Sequence, residues 1–277
     1  MSLTNRALWV IDRNLGRELS LGSIALACGV SRHHLAHAFG EASGLPVMAY
    51  VRGRRLSEAA EALAGGATSI LDLALEAGYA SHEAFSRAFR AQFAASPEQV
   101  RRQGSTEGLA LVEPLRTREV DTPPIAAPRF ERAGEILAVG LREPCFFAAP
   151  DAIVAQWRRF GPSFGAIPHL AQPIPIGVMT AIDEDGAFDY VCAGEVTGFS
   201  GAPAEFSKLR VPPQSYAVFT HAGHVSTLSQ TYAAIWNHWL PDHRRTAADG
   251  AGIERHHASF DPRTGLGGLD LWIPLAG

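Results

Sequence analysis

Two stretches about fifty residues apart place groups able to read DNA bases at helical spacing. In the first, Arg32, His33, Ala36 and His37 fall on one side and Leu35 and Phe39 on the other. In the second, His82, Glu83, Ser86, Arg87 and Arg90 fall opposite Phe85 and Phe89. An arginine such as Arg87 can donate two parallel hydrogen bonds to guanine O6 and N7, and a glutamate such as Glu83 can accept from cytosine N4. Ala36 can do neither. His33, His34 and His37 have no third ligand at a metal-binding spacing, so no metal and no other cofactor is expected.

The elements that would carry these groups occur twice. Ala25-x3-Gly29 recurs as Ala74-x3-Gly78, and Leu35 and Phe39 recur as Phe85 and Phe89. Each copy reads as a short helix, a turn at a glycine able to take positive φ, and a second amphipathic helix capped by Ser31 or Ser81. That is a helix-turn-helix, whose second helix can lie in a major groove. A helix over Leu3–Arg17 precedes the first copy, and Pro46–Ala64 supplies a helix that spaces the two. Two recognition helices on one chain can read adjacent major-groove segments without a dimer.

Residues 1–105 resemble the AraC-type DNA-binding domain. The likeness rests on Ser20-Leu-Gly-Ser-Ile-Ala-Leu-Ala-Cys-Gly-Val-Ser-Arg, Gly44-Leu-Pro, Tyr50-Val-Arg, Ile70-x2-Leu-Ala-x3-Gly-Tyr-x-Ser, Phe85-Ser-Arg-Ala-Phe-Arg and Phe93-x2-Ser-Pro. It implies sequence-specific operator binding, with Arg32, His33, Ala36 and His37 at the base-reading face of the first recognition helix. His82, Glu83, Ser86 and Arg87 take the matching positions in the second. Arg54, Arg55, Arg90, Arg101 and Arg102 would contact phosphates, which give affinity and salt dependence but little specificity. Gly40 departs from the pattern, since many relatives carry Lys or Arg there.

Size and charge agree with a two-part chain. At 277 residues, two domains are expected. Residues 1–105 carry 11 Arg against 9 Asp and Glu, a net of +2, and the remainder carries 13 Lys and Arg against 19 acidic residues, a net of −6. The basic end suits DNA and the acidic end a different task. With 47% hydrophobic and 19% charged residues, the composition is that of a soluble globular protein. No apolar run approaches a membrane span, and Met1-Ser-Leu-Thr-Asn-Arg is unlike a signal peptide, so a cytoplasmic protein is expected. Cys28, Cys145 and Cys192 lack CxxC or zinc spacing and read as small buried residues.

Residues 106–128 read as a linker, opened by Gly104-Ser-Thr-Glu-Gly and punctuated by Pro114, Pro123, Pro124 and Pro128. Residues 129–277 are a second duplication. Leu137-Ala-Val matches Tyr216-Ala-Val, Trp157 matches Trp236, Phe160 matches Trp239 and Pro162 matches Pro241, each at a shift of 79. Each half reads as a strand, an amphipathic helix with a Trp, and two strands: Ile176–Ala181 and Phe188–Val196, then Ile253–Ser259 and Leu269–Leu275. The turn Asp183-Glu-Asp-Gly joins the first pair. The expected architecture is an all-α tandem helix-turn-helix domain followed by an α+β domain of two pseudo-symmetric β-α-β-β repeats, with a cleft between the repeats.

The second half resembles the GyrI-like small-molecule-binding domain, the effector domain of multidrug-sensing regulators. Trp157-x2-Phe, Ile176-Gly-Val, Phe188-Asp-Tyr, Ala193-Gly-Glu-Val, Leu209-x-Val-Pro, Tyr216-Ala-Val-Phe-x-His-x-Gly, Trp236-x2-Trp-Leu, Ile253-Glu-Arg and Leu271-Trp-Ile-Pro-Leu carry the likeness. It places a functional carboxylate at Glu254, with Asp270 as an acidic position in the last strand and Glu195 as a further candidate. A carboxylate among aromatics is costly to desolvate and attracts a cation that can also stack. Tyr190, Tyr216 and Trp272 are candidate walls, with Phe146, Phe147 and Trp157 beside them, and Trp157, Trp236 and Trp239 read mainly as helix-to-sheet core. His256 and His224 replace residues usual in the family.

The function so implied is a one-component transcription regulator that binds double-stranded promoter or operator DNA and a small aromatic or cationic effector. Effector binding would alter domain orientation, oligomeric state or contact with RNA polymerase. Two other readings attach to the second half: a metal-independent hydrolase of electrophilic toxins, with Glu254 activating water, and a module that only docks a protein partner.

Overall fold

The structure, a computed structural model, describes residues 1–67, 69–115, 125–147, 149–180, 182–183 and 187–276. Seven helices come first: α1 (Leu3–Arg13), α2 (Leu21–Cys28), α3 (Arg32–Ser43), α4 (Val47–Ala64), α5 (Ile70–Glu76), α6 (His82–Phe93) and α7 (Pro97–Gln103). Local chemistry sets their ends. Ser20 and Ser23 form a reciprocal capping box at the start of α2, and Gly29 ends it in the left-handed region with φ 70°. The Ser31 hydroxyl then accepts from the His34 amide, 3.1 Å away, to start α3, as Ser81 does from Ala84 for α6.

The two helix-turn-helix units do not share one core. Leu56, Leu63, Ile70, Phe85, Phe89 and Phe93 close a compact core around α5 and α6. The core of the first unit, with Ile11, Ile24, Leu35 and Phe39, runs on without a break into Phe219, Tyr232, Ile235, Trp236 and Leu271 of the second half. One unit stands apart, and the other is fused to its neighbour.

The second half holds strands β1 (Arg129–Ala133), β2 (Ile136–Phe146), β3 (Ile176–Met179), β4 (Ala187–Val196), β5 (Ser207–Val211), β6 (Gln214–His221), β7 (Gly252–His256) and β8 (Leu269–Leu275). All pair antiparallel in the order β1-β6-β8-β7-β3-β4-β2-β5. Reversing that order and exchanging the two repeats returns the same sheet, so a pseudo-twofold axis passes between β3 and β7. Helix α8 (Pro150–Phe160) belongs to the first repeat. Its counterpart α9 (Leu228–Ala234) continues as a π-helical segment, Ile235–Trp239, and a short turn, Leu240–Asp242. The Gln156 side chain pins α8 to the sheet by donating to the carbonyls of Leu141 and Tyr190, both at 2.8 Å.

Two features go beyond the sequence reading. Each repeat has an additional leading strand, and these are exchanged: β1 opens the first repeat but pairs with β6 of the second, while β5 opens the second but pairs with β2 of the first. Residues 109–115 of the linker lie along α4. The Val112 amide donates to Ser57 Oγ at 2.8 Å, and the Leu115 amide to Tyr50 Oη at 3.1 Å. Pro123, Pro124 and most of the Asp183-Glu-Asp-Gly turn lie outside the described residues. Cys28, Cys145 and Cys192 are buried free thiols.

Gly140 marks the tightest point of the sheet, where β2 runs between β4 and β5. A Cβ there would fall 2.0 Å from the Cys192 carbonyl oxygen, which is backbone and cannot step aside. Gly140→Ala is therefore expected to destabilise the second half by about 1–3 kcal/mol, the usual range for overpacking. Urea denaturation followed by far-UV circular dichroism checks this, and an unchanged midpoint would refute it.

Candidate ligand site and DNA-reading helices

Glu254 lies on β7 at the pseudo-twofold axis, opposite Gly177 on β3. Strand alternation turns its carboxylate toward the helical face of the sheet, where two phenols meet it. Tyr232, from α9, donates to Oε1 at 2.9 Å, and Tyr190, from β4, donates to Oε2. Trp157 on α8 completes the chain by donating its indole N–H to the Tyr190 oxygen at 3.2 Å. Only glycine fits opposite, because a Cβ on residue 177 would fall 2.1 Å from the Tyr190 oxygen and 3.0 Å from Glu254 Oε2. Burial and then the Glu254 charge hold both tyrosines well above the ordinary phenol value, so they remain protonated donors. His256, two residues along the same face, packs edge-on to Trp157 at 5.1 Å between ring centroids. Burial lowers its pKa and leaves the ring neutral near pH 7.

Helix α3 roofs this site. His37 stacks on Trp236 with ring centroids 4.2 Å apart and planes 4° from parallel, and it also meets the rings of His33 at 4.5 Å and Phe147 at 5.8 Å. His34 Nε2 lies 2.7 Å from the Trp236 carbonyl oxygen, and because a carbonyl only accepts, the ring carries its proton there. Asn237 clasps α1 and α3 together. Its amide nitrogen donates to the Ala38 carbonyl at 2.9 Å, and its oxygen accepts from the Thr4 amide at 2.9 Å. Gly40 lets the surfaces meet, since a Cβ there would fall 2.2 Å from the Phe147 ring. One turn beyond His37, Glu41 faces Glu254 across the site.

The comparisons with known proteins fall on these same two halves. Residues 19–103 match the model of a helix-turn-helix domain, and residues 126–276, more than half of the chain, match that of the GyrI-like small molecule binding domain. The chain belongs to the AraC-type regulators with a C-terminal GyrI-like domain. It is 28% identical over 265 residues to transcriptional regulator Rob of Salmonella typhimurium, spanning 93% of this chain and 91% of that one. It is 26% identical over 288 residues to the right origin-binding protein of Escherichia coli, spanning 97% and 94%. The solved structure of SAV2435 bound to tetraphenylphosphonium aligns over 55% of this chain and 95% of that one, at 17% identity and a TM-score of 0.47. Among the described residues, no helix is long and apolar enough to cross a membrane.

Within the GyrI-like domain, Glu254, Tyr190 and His256 come together, and the other expected ligand residues do not. Tyr216 and Trp272 pack against each other on the opposite face of the sheet, because Trp272 pairs with Ile253 and so takes the face Glu254 avoids. Glu195 is taken up by Arg255 at 2.6 Å, on that same far face. Asp270 lies in a surface cluster, accepting from Arg129 at 2.6 Å and Thr220 at 2.8 Å, with His257 at 3.1 Å. Phe146 is exposed, whereas Phe147 reaches α3. Tyr232 was not legible as a site residue, although it precedes Trp236 by one helical turn on the same helix face. Glu41 had a clearer signal: a carboxylate on a face expected to oppose phosphates.

The helix-turn-helix residues also divide. Arg32 is exposed, but His33, Ala36 and His37 are buried beneath the GyrI-like domain, not turned outward as their spacing suggested. The reason is aromatic: Trp236 and Phe147 offer this face a drier partner than solvent. On α6, Glu83, Arg87 and Arg90 are exposed and His82 pairs with Glu98 at 3.3 Å, while Ser86 is buried. Arg54 and Arg55 are not free for phosphates. Arg54 donates to the Val112 carbonyl at 2.9 Å and to Glu58 at 3.3 Å, and Arg55 donates to the Leu15 carbonyl at 2.9 Å and to that of Arg17. Both clasp the fold. Arg101 and Arg102 are exposed on α7.

The buried roof is sensitive to pH. Burial, above all, lowers the pKa of His33, draws that of His34 down to about 4, and holds that of His37 well below 6.5; neighbouring imidazoles add to the last two, Arg6 adds at His34, and Asp249 opposes the shift at His33. Glu41 moves the opposite way, up to about 8, through burial and then the facing Glu254. A freed α3 would take up protons on its histidines below about pH 6.5, so acid favours its release. It would lose the Glu41 proton between about pH 4.5 and 8, so base also favours release, with one group acting against three. Docking is expected to be strongest near neutral pH. Imidazole NMR should find the three rings neutral at pH 6.5 and protonating together below it; independent titration near 6.5 would mean that α3 is already exposed.

Proposed function

We propose that this regulator takes a small aromatic cation at Glu254 and reads bases chiefly with its second recognition helix, α6. The observation that carries the first half is the setting of Glu254. It is a buried carboxylate held by two neutral phenols, and no arginine or lysine is paired with it among the described residues. Such a group leaves negative charge uncompensated in a poorly solvated place, and a cation entering from water gains both that charge and the aromatic faces of Trp157 and His256. A strongly hydrated cation would lose more water than the site replaces, so a bulky, delocalised cation fits best.

The second half rests on exposure. Glu83, Arg87 and Arg90 reach solvent from a helix-turn-helix unit with its own core, whereas the matching face of α3 is covered. Arg87 then supplies a bidentate donor for guanine, and Arg90, Arg101 and Arg102 supply phosphate contacts. Arg32, at the exposed start of α3, adds to that basic surface.

Calorimetric titration with tetraphenylphosphonium tests the ligand site. Glu254→Gln keeps the shape and removes the charge, and is expected to weaken binding at least tenfold without lowering the melting temperature. Equal affinity in both proteins would sink the assignment. Fluorescence anisotropy on the DNA upstream of the protein's own gene tests the helix. Arg87→Ala should weaken binding by about 1–3 kcal/mol, roughly five- to 150-fold, the usual loss for a bidentate base contact. An unchanged affinity would move base reading elsewhere.

A further inference from the structure

Among the described residues, Glu41 is the acidic group of the helix-turn-helix domain that interacts with Glu254. It lies on α3 one turn beyond His37 and next to Gly40, which packs beneath Phe147, and it is partly buried there. Its carboxylate has no hydrogen-bond or ion-pair partner among the described residues. Across from it lie Glu254 on β7 and the Tyr232 phenol on α9. The other titratable groups around this space are Tyr190 on β4, His256 on β7, and His33 and His37 on α3. Burial keeps the two phenols and the three imidazoles neutral. Two acidic side chains from two domains therefore face each other with no positive charge between them.

We propose that Glu41 is the second carboxylate of the ligand site, so that a cationic effector bound between Glu41 and Glu254 ties the first recognition helix to the GyrI-like domain and keeps it off DNA. The inference rests on Glu254 being the cation site. Without ligand, burial and the facing Glu254 disfavour a charge on Glu41, which holds a proton at neutral pH. A cation between them favours the ionised form of Glu41, releases that proton and gains a second counter-charge. It forfeits the gain if α3 departs, so it binds the docked form more tightly and shifts the population toward it. DNA needs the same face of α3, where His33, Ala36 and His37 lie under Trp236 and Phe147. Effector and DNA are thus alternative partners of one helix, and each lowers the affinity for the other by the same factor.

Hydrogen exchange read by mass spectrometry on the full-length protein, with and without tetraphenylphosphonium, decides the matter. In the wild type, the cation should slow exchange in Arg32–Ser43 as well as in Gly252–His256 and Leu228–Ala234. Glu41→Gln keeps the roof and removes its charge. It should bind the cation about tenfold more weakly, within the usual range of coupling between sites, and show no gain of protection in α3. Calorimetry in buffers of different ionisation enthalpy should find close to one proton released per cation at pH 7 in the wild type and none in Glu41→Gln. Gly40→Arg, which cannot fit beneath Phe147, should bind as weakly as Glu41→Gln and exchange α3 faster with or without the cation. Protection around Glu254 with α3 unchanged or faster in the wild type would overturn the inference and leave the Glu254 site standing. Equal cation affinity in wild type and Glu41→Gln would do the same. No protection in any of these segments would overturn the Glu254 site, and this inference with it.

Discussion

The stack of His37 on Trp236 determines what the rest of the molecule can do. It joins the first helix-turn-helix unit to the second repeat of the GyrI-like domain through one continuous apolar core. Because that contact uses the face of α3 that would enter a major groove, only one of the two recognition helices is presented to DNA in this arrangement. Because His37 touches Trp236 of the second repeat and Phe147 of the first, the same contact ties α3 to both repeats. On the proposed function, a single interface would set both the DNA-reading surface and the access of an effector, which gives the two sites a physical connection with no need for a long chain of intermediates.

The polar content of that interface is high, and its satisfaction is uneven. The Asn237 side chain and His34 Nε2 find partners, His33 Nδ1 has only Asp249 at 3.7 Å, and His37 Nδ1 and the Trp236 indole N–H find no hydrogen bond among the described residues. Each buried unpaired group costs on the order of 1–3 kcal/mol. An interface that is apolar in outline but imperfectly paired holds two domains together without making them inseparable. The π-helical segment Ile235–Trp239 contributes directly, since π turns commonly occur where a helix presents function, and here it carries both Trp236 and Asn237.

Most of the fold was legible in the sequence because it is periodic and repeated. Helix caps at Ser31 and Ser81, the turn at Gly29 and the four strands Ile176–Met179, Ala187–Val196, Gly252–His256 and Leu269–Leu275 all followed from local pattern. The exchanged strands β1 and β5 did not, because five residues of mixed polarity do not state which neighbour they will pair with. In the site, Glu254, Tyr190 and His256 came together as their positions suggested. Tyr216, Trp272, Asp270 and Glu195 did not, since strand parity and surface ion pairs assign them to other faces. Burial of His33, Ala36 and His37 was out of reach, because helical spacing shows which residues share a face and not what covers it.

The exchange of β1 and β5 has a consequence for how the chain is made. As the polypeptide leaves the ribosome, β1 emerges long before β6, the strand it pairs with through Arg129↔Val218 and Ala133↔Gln214. The first repeat cannot use its own leading strand, and its β2 edge stays open until β5 arrives. Neither repeat is complete without the other, so the GyrI-like domain is a single cooperative unit whose closure awaits nearly the whole chain. Such long-range pairing slows folding and leaves unpaired edges exposed meanwhile. The unit formed by α5 and α6, whose contacts are local, faces no such wait. The second helix-turn-helix unit is therefore free to assemble first, and the first unit, whose core is shared with the GyrI-like domain, is finished last with it.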